Sequence, residues 1–272
     1  MSSELKKSHL QDINPVFVNF KNVSICINGR TVLDSIDIQI PDGEHIAILG
    51  PNGSGKSTLI KAIIREYYPV YSGSDTVSMI WGRENWDVFK LRSYFGFVSH
   101  DLQYTFTRNI SGRDVILSGF FSSIGLFFHE VLPEMREKAE EIGRFLEISH
   151  LMERPFSEMS SGEARRFLIG RALVHSPKVL ILDEPSNSLD LTALHMLRTT
   201  MRKIAKNTVI ILVTHNLPDI IPEISRVILM KNGGIFIDGH KKEILTDENI
   251  KAIFEVPVRI HKEGEYYYAA GY

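Results

Sequence analysis

The run Gly50-Pro51-Asn52-Gly53-Ser54-Gly55-Lys56-Ser57-Thr58 sits between an apolar tetrapeptide, Ile46-Ala47-Ile48-Leu49, and the largely apolar Leu59-Ile60-Lys61-Ala62-Ile63-Ile64. It fits the pattern G-x-x-x-x-G-K-[ST]. Its glycines let consecutive backbone N–H groups turn toward one anion, and a helix starting at its end adds a positive N-terminal pole. The geometry works only if a buried strand delivers the loop and a helix receives it. That requirement confines the chain to an α/β fold of the phosphate-loop kind. In such a loop Lys56 reaches the β- and γ-phosphates as a point charge, and Ser57 places its hydroxyl on Mg²⁺.

Two further apolar runs read as buried strands of the same parallel sheet. Val179-Leu180-Ile181-Leu182 is followed by Asp183 and Glu184, and Val209-Ile210-Ile211-Leu212-Val213 by Thr214 and His215. Ligands of open α/β sheets lie beyond the carboxyl ends of the strands, so the three polar ends are expected to converge on one crevice. Asp183 suits Mg²⁺ either directly or through water. Glu184, one residue on, points elsewhere and is a candidate to activate an attacking water.

Ser160-Ser161-Gly162-Glu163 opens an apparent helix running through Ala164, Phe167, Leu168, Arg171 and Ala172. Ser160 with Glu163 fits a capping box. Gly162, however, weakens a first turn where nearly any residue would serve. A glycine there makes sense if a ligand approaches the backbone closely, and a helix start bearing small residues is a natural phosphate site. From spacing alone both readings stand.

Elsewhere, Met135, Ala139, Ile142 and Leu146 mark one face of an amphipathic helix, with Glu137, Glu140, Glu141 and Arg144 opposite. Residues 15–40 read as short strands turning at Asn28-Gly29, and a second strand-and-turn signal surrounds Asn232-Gly233-Gly234. Near the end, Val256, Val258 and Ile260 alternate like a strand that pairs with Tyr266–Tyr268.

The length of 272 residues suits one large domain or two small ones, and 43% hydrophobic residues supply a core. A net charge of -2 disfavours nucleic acid as a partner. The single cysteine, Cys26, excludes an intrachain disulfide and points to a reducing cytosol. The first fifteen residues hold no apolar leader. No stretch reaches the roughly 18 apolar residues of a membrane span. The nearest, Val115 to Phe128, is short and interrupted by serines and glycines. The expectation is a chain soluble by itself, whose membrane role, if any, comes through a partner.

Taken in order, the phosphate loop, Met159-Ser160-Ser161-Gly162-Glu163, Val179 to Glu184, Ser188-Leu189-Asp190 and His215 resemble the ATP-binding cassette (ABC) ATPase family over about Val16 to Gly239. The resemblance implies a phosphate-loop core, an antiparallel β subdomain and a helical subdomain. It implies a cassette over residues 16–255, with the helical part at about 101–175 and an extension at 256–272. It also implies a head-to-tail homodimer that sandwiches two ATP molecules with Mg²⁺. In it Ser161 and Gly162 touch the γ-phosphate held by the other chain, Asp190 couples the sites, and His215 contacts the γ-phosphate and holds the water. Three positions depart from the family pattern. The signature reads Met159-Ser160-Ser161-Gly162-Glu163 for the usual Leu-Ser-Gly-Gly-Gln. The adenine-stacking aromatic falls at Ile27. The sensor glutamine falls at His100, a residue equally readable as an exposed loop histidine, with Gln103 as the alternative.

Single-cassette chains of this family are usually importer subunits on the inner membrane face, bound to an integral permease. Arg92 to Ser99 and Asp114 to Gly119 look similar to ATPases of molybdate and iron-chelate importers. Phe120, Phe121, Phe127 and Phe128 are candidates for docking that permease, or for packing within the helical subdomain. The alternatives are a soluble ABC ATPase outside transport and a nucleotide-gated scaffold with little turnover. No heptad run separates Lys56 from Asp183, which disfavours chromosome-maintenance relatives. Glu184 and His215 are both present, which disfavours the scaffold.

Overall fold

The computed structural model describes residues 16–70, 75–99, 102–106, 110–126 and 129–271, with backbone only at 103 and 104. The first part of the chain carries β1 (Val16–Ile27), β2 (Arg30–Pro41), β3 (Ile46–Leu49), α1 (Lys56–Ile63), β4 (Val77–Ile80), α2 (Val88–Ser93) and β5 (Phe95–Ser99). Four helices follow: α3 (Leu102–Thr105), α4 (Gly112–Ser118), α5 (Pro133–Phe145) and α6 (Ser161–Leu173). The remainder holds β6 (Val179–Asp183), α7 (Leu191–Ala205), β7 (Val209–Thr214), β8 (Arg226–Lys231), β9 (Gly234–His240), α8 (Lys241–Ile244), α9 (Asp247–Phe254), β10 (Arg259–Glu263) and β11 (Tyr266–Ala270).

Six strands form the central sheet in the order β5-β6-β7-β3-β8-β9. All neighbours are parallel except the β8–β9 pair. Its inner strands are apolar without alternation because both faces are covered. Period-two geometry then divides their side chains between two cores. Ala47, Leu49, Leu180, Leu182, Ile210 and Leu212 join the core shared with α4, α5, α6 and α7. Ile46, Ile48, Val179, Ile181, Ile211 and Val213 join a second core with α1 and the antiparallel sheet β2-β1-β4.

The register brings the strand ends level. Leu49 pairs with Thr214, Asp183 with Val213, and Ser99 with Asp183. Gly50, Glu184 and His215 therefore leave the sheet side by side, as the convergence of polar ends requires. Two parallel strands, β5 and β8, join the three read from the sequence.

The turns behave as their chemistry demands. Asn28 and Gly29 (φ 50° and 74°) and Asn232 and Gly233 (φ 50° and 79°) place two residues in the left-handed region, the type I′ condition for a two-residue hairpin. The first hairpin is longer than expected, with two twelve-residue strands and several register shifts. In α5, Ala139, Ile142 and the following Leu146 are buried as the periodicity implies. The last hairpin begins only at Arg259, so Val256 and Val258 precede its strand. Tyr267 (5% exposed) anchors it in the helical-side core.

Candidate functional site

The phosphate loop bridges β3 and α1. Gly50 lies against β8, where an added Cβ would stand 2.3 Å from the Met230 carbonyl oxygen. Gly55 is the N-cap of α1 with φ 97°, and a Cβ there would also strike Leu33. Both positions thus exclude side chains, one by close approach and one by conformation. Lys56, the first residue of α1, donates to the carbonyls of Gly50 (2.8 Å) and Pro51 (3.1 Å). These bonds use two of its three donors and curl the loop around the ammonium. Burial lowers the Lys56 pKa, while Glu184 and Asp183 act to raise it.

Ser57 Oγ donates to Asp183 Oδ2 at 3.0 Å, so the hydroxyl and carboxylate assigned to Mg²⁺ from the sequence do meet. Glu184 has a left-handed backbone (φ 49°) and its N–H donates to Val213 (2.9 Å). A residue other than glycine in this region is strained, and such strain concentrates at functional sites. Glu184 Oε2 lies 2.8 Å from His215 Nδ1 and Oε1 lies 3.9 Å from Lys56 Nζ. Both carboxylate oxygens are shielded from solvent, and neither has an aligned hydrogen bond among the described residues. The cleft above them, about 220 Å³, is lined by Asn52, Gly53, Gly55, Lys56, Ser57, Thr58, Glu184 and Val32.

The helix start at Ser160 does not line that cleft. The capping box is complete: Ser160 Oγ accepts from the Glu163 N–H and Glu163 Oε2 from the Ser160 N–H (2.8 Å). The backbone N–H of Ser160 leads the causes that hold the Glu163 carboxyl below its usual range. Ser161 Oγ donates to the Ser188 carbonyl (2.9 Å). A Cβ on Gly162 would stand 2.6 Å from that of Ala193. The glycine thus has a packing reason within its own chain, one that residue spacing does not reveal. Asp190 caps α7, accepting from the Ala193 N–H at 2.7 Å. The turn around Ser188, the start of α6 and the start of α7 form one unit.

Ile27 ends β1 opposite Arg30 at the hairpin tip, partly buried against the second core, and Val32 of β2 is the apolar residue lining the phosphate cleft. Sequence reasoning missed Val32 because the fold-over of the β1–β2 hairpin selects it. His100, Phe127 and Phe128 lie outside the described residues, and Gln103 is described only in backbone. Phe120 packs against the helical-side core and edge-on to His175, and Phe121 stacks on His129 at 4.3 Å.

A glycine-rich loop at a strand end, a lysine in its curl, a serine–aspartate pair and a buried glutamate beside a histidine define a phosphate-loop nucleoside triphosphatase. The ABC transporter family model matches residues 33–187, over half of the chain. YlmA of Bacillus subtilis, an uncharacterized ABC transporter ATP-binding protein, is 33% identical over 248 residues, covering 90% of this chain and 93% of YlmA. The hemin import ATP-binding protein HmuV of Aliivibrio fischeri is 29% identical, covering 89% of this chain and 92% of its own. Among solved structures, the ADP conformation of MJ1267, an ATP-binding cassette of an ABC transporter, superposes with a TM-score of 0.72 at 26% identity, covering 89% of this chain and 99% of that one. The chain belongs to the ABC transporter family as an ATP-binding, ATP-hydrolysing cassette.

Proposed function

We propose that this chain is the ATP-hydrolysing subunit of an importer, working as a head-to-tail pair of identical cassettes against an integral membrane permease. The observation that carries the catalytic part is Glu184: a shielded carboxylate, without an aligned hydrogen bond among the described residues, between His215 and Lys56 at the mouth of the phosphate loop. A buried polar group in that condition calls for a ligand or a catalytic role. Glu184 orients a water for in-line attack on the γ-phosphate of ATP, and His215 holds the glutamate and the water together. The backbone of Gly50 to Thr58 cradles the phosphates, and Lys56 shifts from the loop carbonyls toward the γ-phosphate.

Ser57 and Asp183 offer the hard oxygen donors that Mg²⁺ takes, and this ion needs only one or two protein ligands beside phosphate and water. No cluster of three or more His, Cys, Asp or Glu that would suit a closed metal cage occurs among the described residues. When bound, the ion supplies charge neutralisation on the β- and γ-phosphates.

Ser161 and Gly162 head a helix yet lie outside the cleft of their own chain, which supports their contacting the γ-phosphate held by a second copy. Ser160 and Glu163 fix that helix start, and Asp190, locked to the same unit, links the two sites. ATP then closes the pair through its higher affinity for the closed state, and hydrolysis reopens it. The cassette occupies residues 16–255, with its helical part at about 101–175 and an extension at 256–272. No helix of the described residues is long and apolar enough to cross a membrane. In this reading the permease is a separate subunit, and the chain works on its cytoplasmic face. The HmuV relative supports the importer reading. His100, or Gln103, senses nucleotide and permease together, and Ile27 packs on the base without an aromatic face. No nucleic acid is involved.

Affinity-tagged protein purified from detergent-solubilised membranes tests the transport part. A stoichiometric integral membrane protein, released on ATP hydrolysis or retained through it, supports the reading. Recovery of the cassette alone under mild detergent and cross-linking overturns it. Glu184→Gln tests the catalytic part: normal turnover in that variant removes Glu184 from the mechanism.

A further inference from the structure

Asp219 is 2% exposed, and its carboxylate joins two loops that meet at the site. Its Oδ2 accepts from Ser186 Oγ at 2.5 Å and from Thr214 Oγ1 at 2.9 Å. The Thr214 hydroxyl accepts in turn from the Asn216 N–H at 3.0 Å, so all of these bonds are directed. Ser186 lies two residues beyond Glu184, and Thr214 immediately precedes His215. The one oxygen therefore ties the turn after β6 to the end of β7, the two segments whose side chains must meet.

The need for such a tie is physical. Glu184 occupies a left-handed backbone conformation that an ordinary residue leaves unless its surroundings hold it. Two anchors toward β7 hold it: the Glu184 N–H on the Val213 carbonyl, and the Ser186 bond to Asp219. Burying a carboxylate is costly unless hydrogen bonds compensate it. Burial pushes the Asp219 carboxyl up, the two hydroxyls and Arg198 pull it down, and the Glu184 charge adds to the rise.

We propose that Asp219 is a positioning residue for ATP hydrolysis: bonded to Ser186 and Thr214, it sets the contact between Glu184 and His215. This rests on the reading that Glu184 and His215 serve the hydrolytic step. Asp219 acts through them and does not itself line the phosphate cleft. Its loss lets the two loops drift, and drift of the order of an ångström at a reacting geometry costs up to about a hundredfold in rate.

The test uses the full chain, with turnover measured by phosphate release and folding by thermal melting. Asp219→Asn keeps the shape and one acceptor oxygen but weakens both hydroxyl bonds. Thr214→Val removes one donor, and Thr214→Ser restores it. The expected result is a kcat about tenfold lower in Asp219→Asn and Thr214→Val, with the KM for ATP within about twofold, and near-normal turnover in Thr214→Ser. In a His215→Ala background, Asp219→Asn costs less than about twofold more, because both variants break the same arrangement. If Asp219→Asn and Thr214→Val turn over normally while His215→Ala is impaired, this proposal falls and the hydrolytic reading stands. Full additivity with His215→Ala, or equal losses in Thr214→Ser and Thr214→Val, likewise overturns it. Normal turnover in His215→Ala overturns both.

Discussion

Replacing Gly162 by alanine separates the two reasons for a glycine at that position. The new Cβ would lie 2.6 Å from Ala193 Cβ, whereas ordinary contact begins at 3.4 Å, so the starts of α6 and α7 must part by about 0.8 Å. The neighbour is a methyl fixed to a helix backbone, so no flexible side chain absorbs the clash. Two terms compete. Glycine to alanine in a helix gains up to about 1 kcal/mol from propensity, and less in a first turn. Overpacking costs about 1–3 kcal/mol. Overpacking wins, and a net loss of about 1–2 kcal/mol lowers the melting temperature by roughly 2–4 °C in a chain of this size. Nucleotide binding by the single chain, followed with a fluorescent ATP analogue, is unchanged because residues 160–163 do not line the cleft. If the proposed sandwich dimer forms, turnover falls about tenfold or more, since the start of α6 would no longer meet the opposite phosphate correctly.

The double variant Gly162→Ala with Ala193→Gly removes the clash and keeps the new methyl. It should melt no lower than Ala193→Gly alone, yet remain slow, because the methyl still stands where the proposed dimer brings the phosphate. If Gly162→Ala melts at or above the parent, the packing argument is wrong. If the double variant turns over normally, Gly162 serves Ala193 alone and the contact with a second chain's phosphate is refuted.

Glu184→Gln should lower phosphate release by about 10²–10⁴-fold while ATP still binds and a dimer accumulates on size exclusion; a monomer at saturating ATP and Mg²⁺ argues against the sandwich. Lys56→Ala should abolish tight ATP binding in a calorimetric titration, and unchanged affinity sinks the phosphate-loop assignment. The folded pKa of Glu163 lies below its unfolded value, so the stability it contributes is present above about pH 4.5 and is lost as pH falls through the folded value. Melting of the parent should therefore exceed that of Glu163→Ala at neutral pH, with the gap closing in acid; a gap independent of pH refutes the charged cap. Phe120→Glu should cost about 1–3 kcal/mol of stability, seen in denaturant unfolding, because Phe120 packs on the helical-side core. An unchanged melt with lost permease capture would make it a docking residue instead.

Much of the site is legible in the order of the residues. The phosphate loop, the two polar strand ends and the hairpin turns at Asn28 and Asn232 are written in short, contiguous segments. They use backbone freedom and periodicity, which act locally and need no distant partner to be recognised. The capping box at Ser160 and Glu163 is legible for the same reason. The strand at Phe95–Ser99 is not, because its short mixed run matches no clear period. Neither is the parallel role of Arg226–Lys231, which lies beside β3 only because a crossover carries it there.

Sequence alone thus determined the chemistry available: an anion cradle, a lysine, a hydroxyl with a carboxylate for a hard cation, and a glutamate with a histidine. Tertiary structure decided which of these meet. The in-register pairing of β3, β6 and β7 sets Glu184 beside His215 and Ser57 beside Asp183. The fold of the β1–β2 hairpin brings Val32 to the wall of the phosphate cleft. The packing of α6 on α7 turns Gly162 toward Ala193. Asp219, unremarkable as a letter between Pro218 and Ile220, becomes the knot between two loops. The division follows from the range of the interactions. Turn chemistry and periodicity act over a few residues and are readable in order, while contacts between segments exist only once burial has brought distant parts of the chain together.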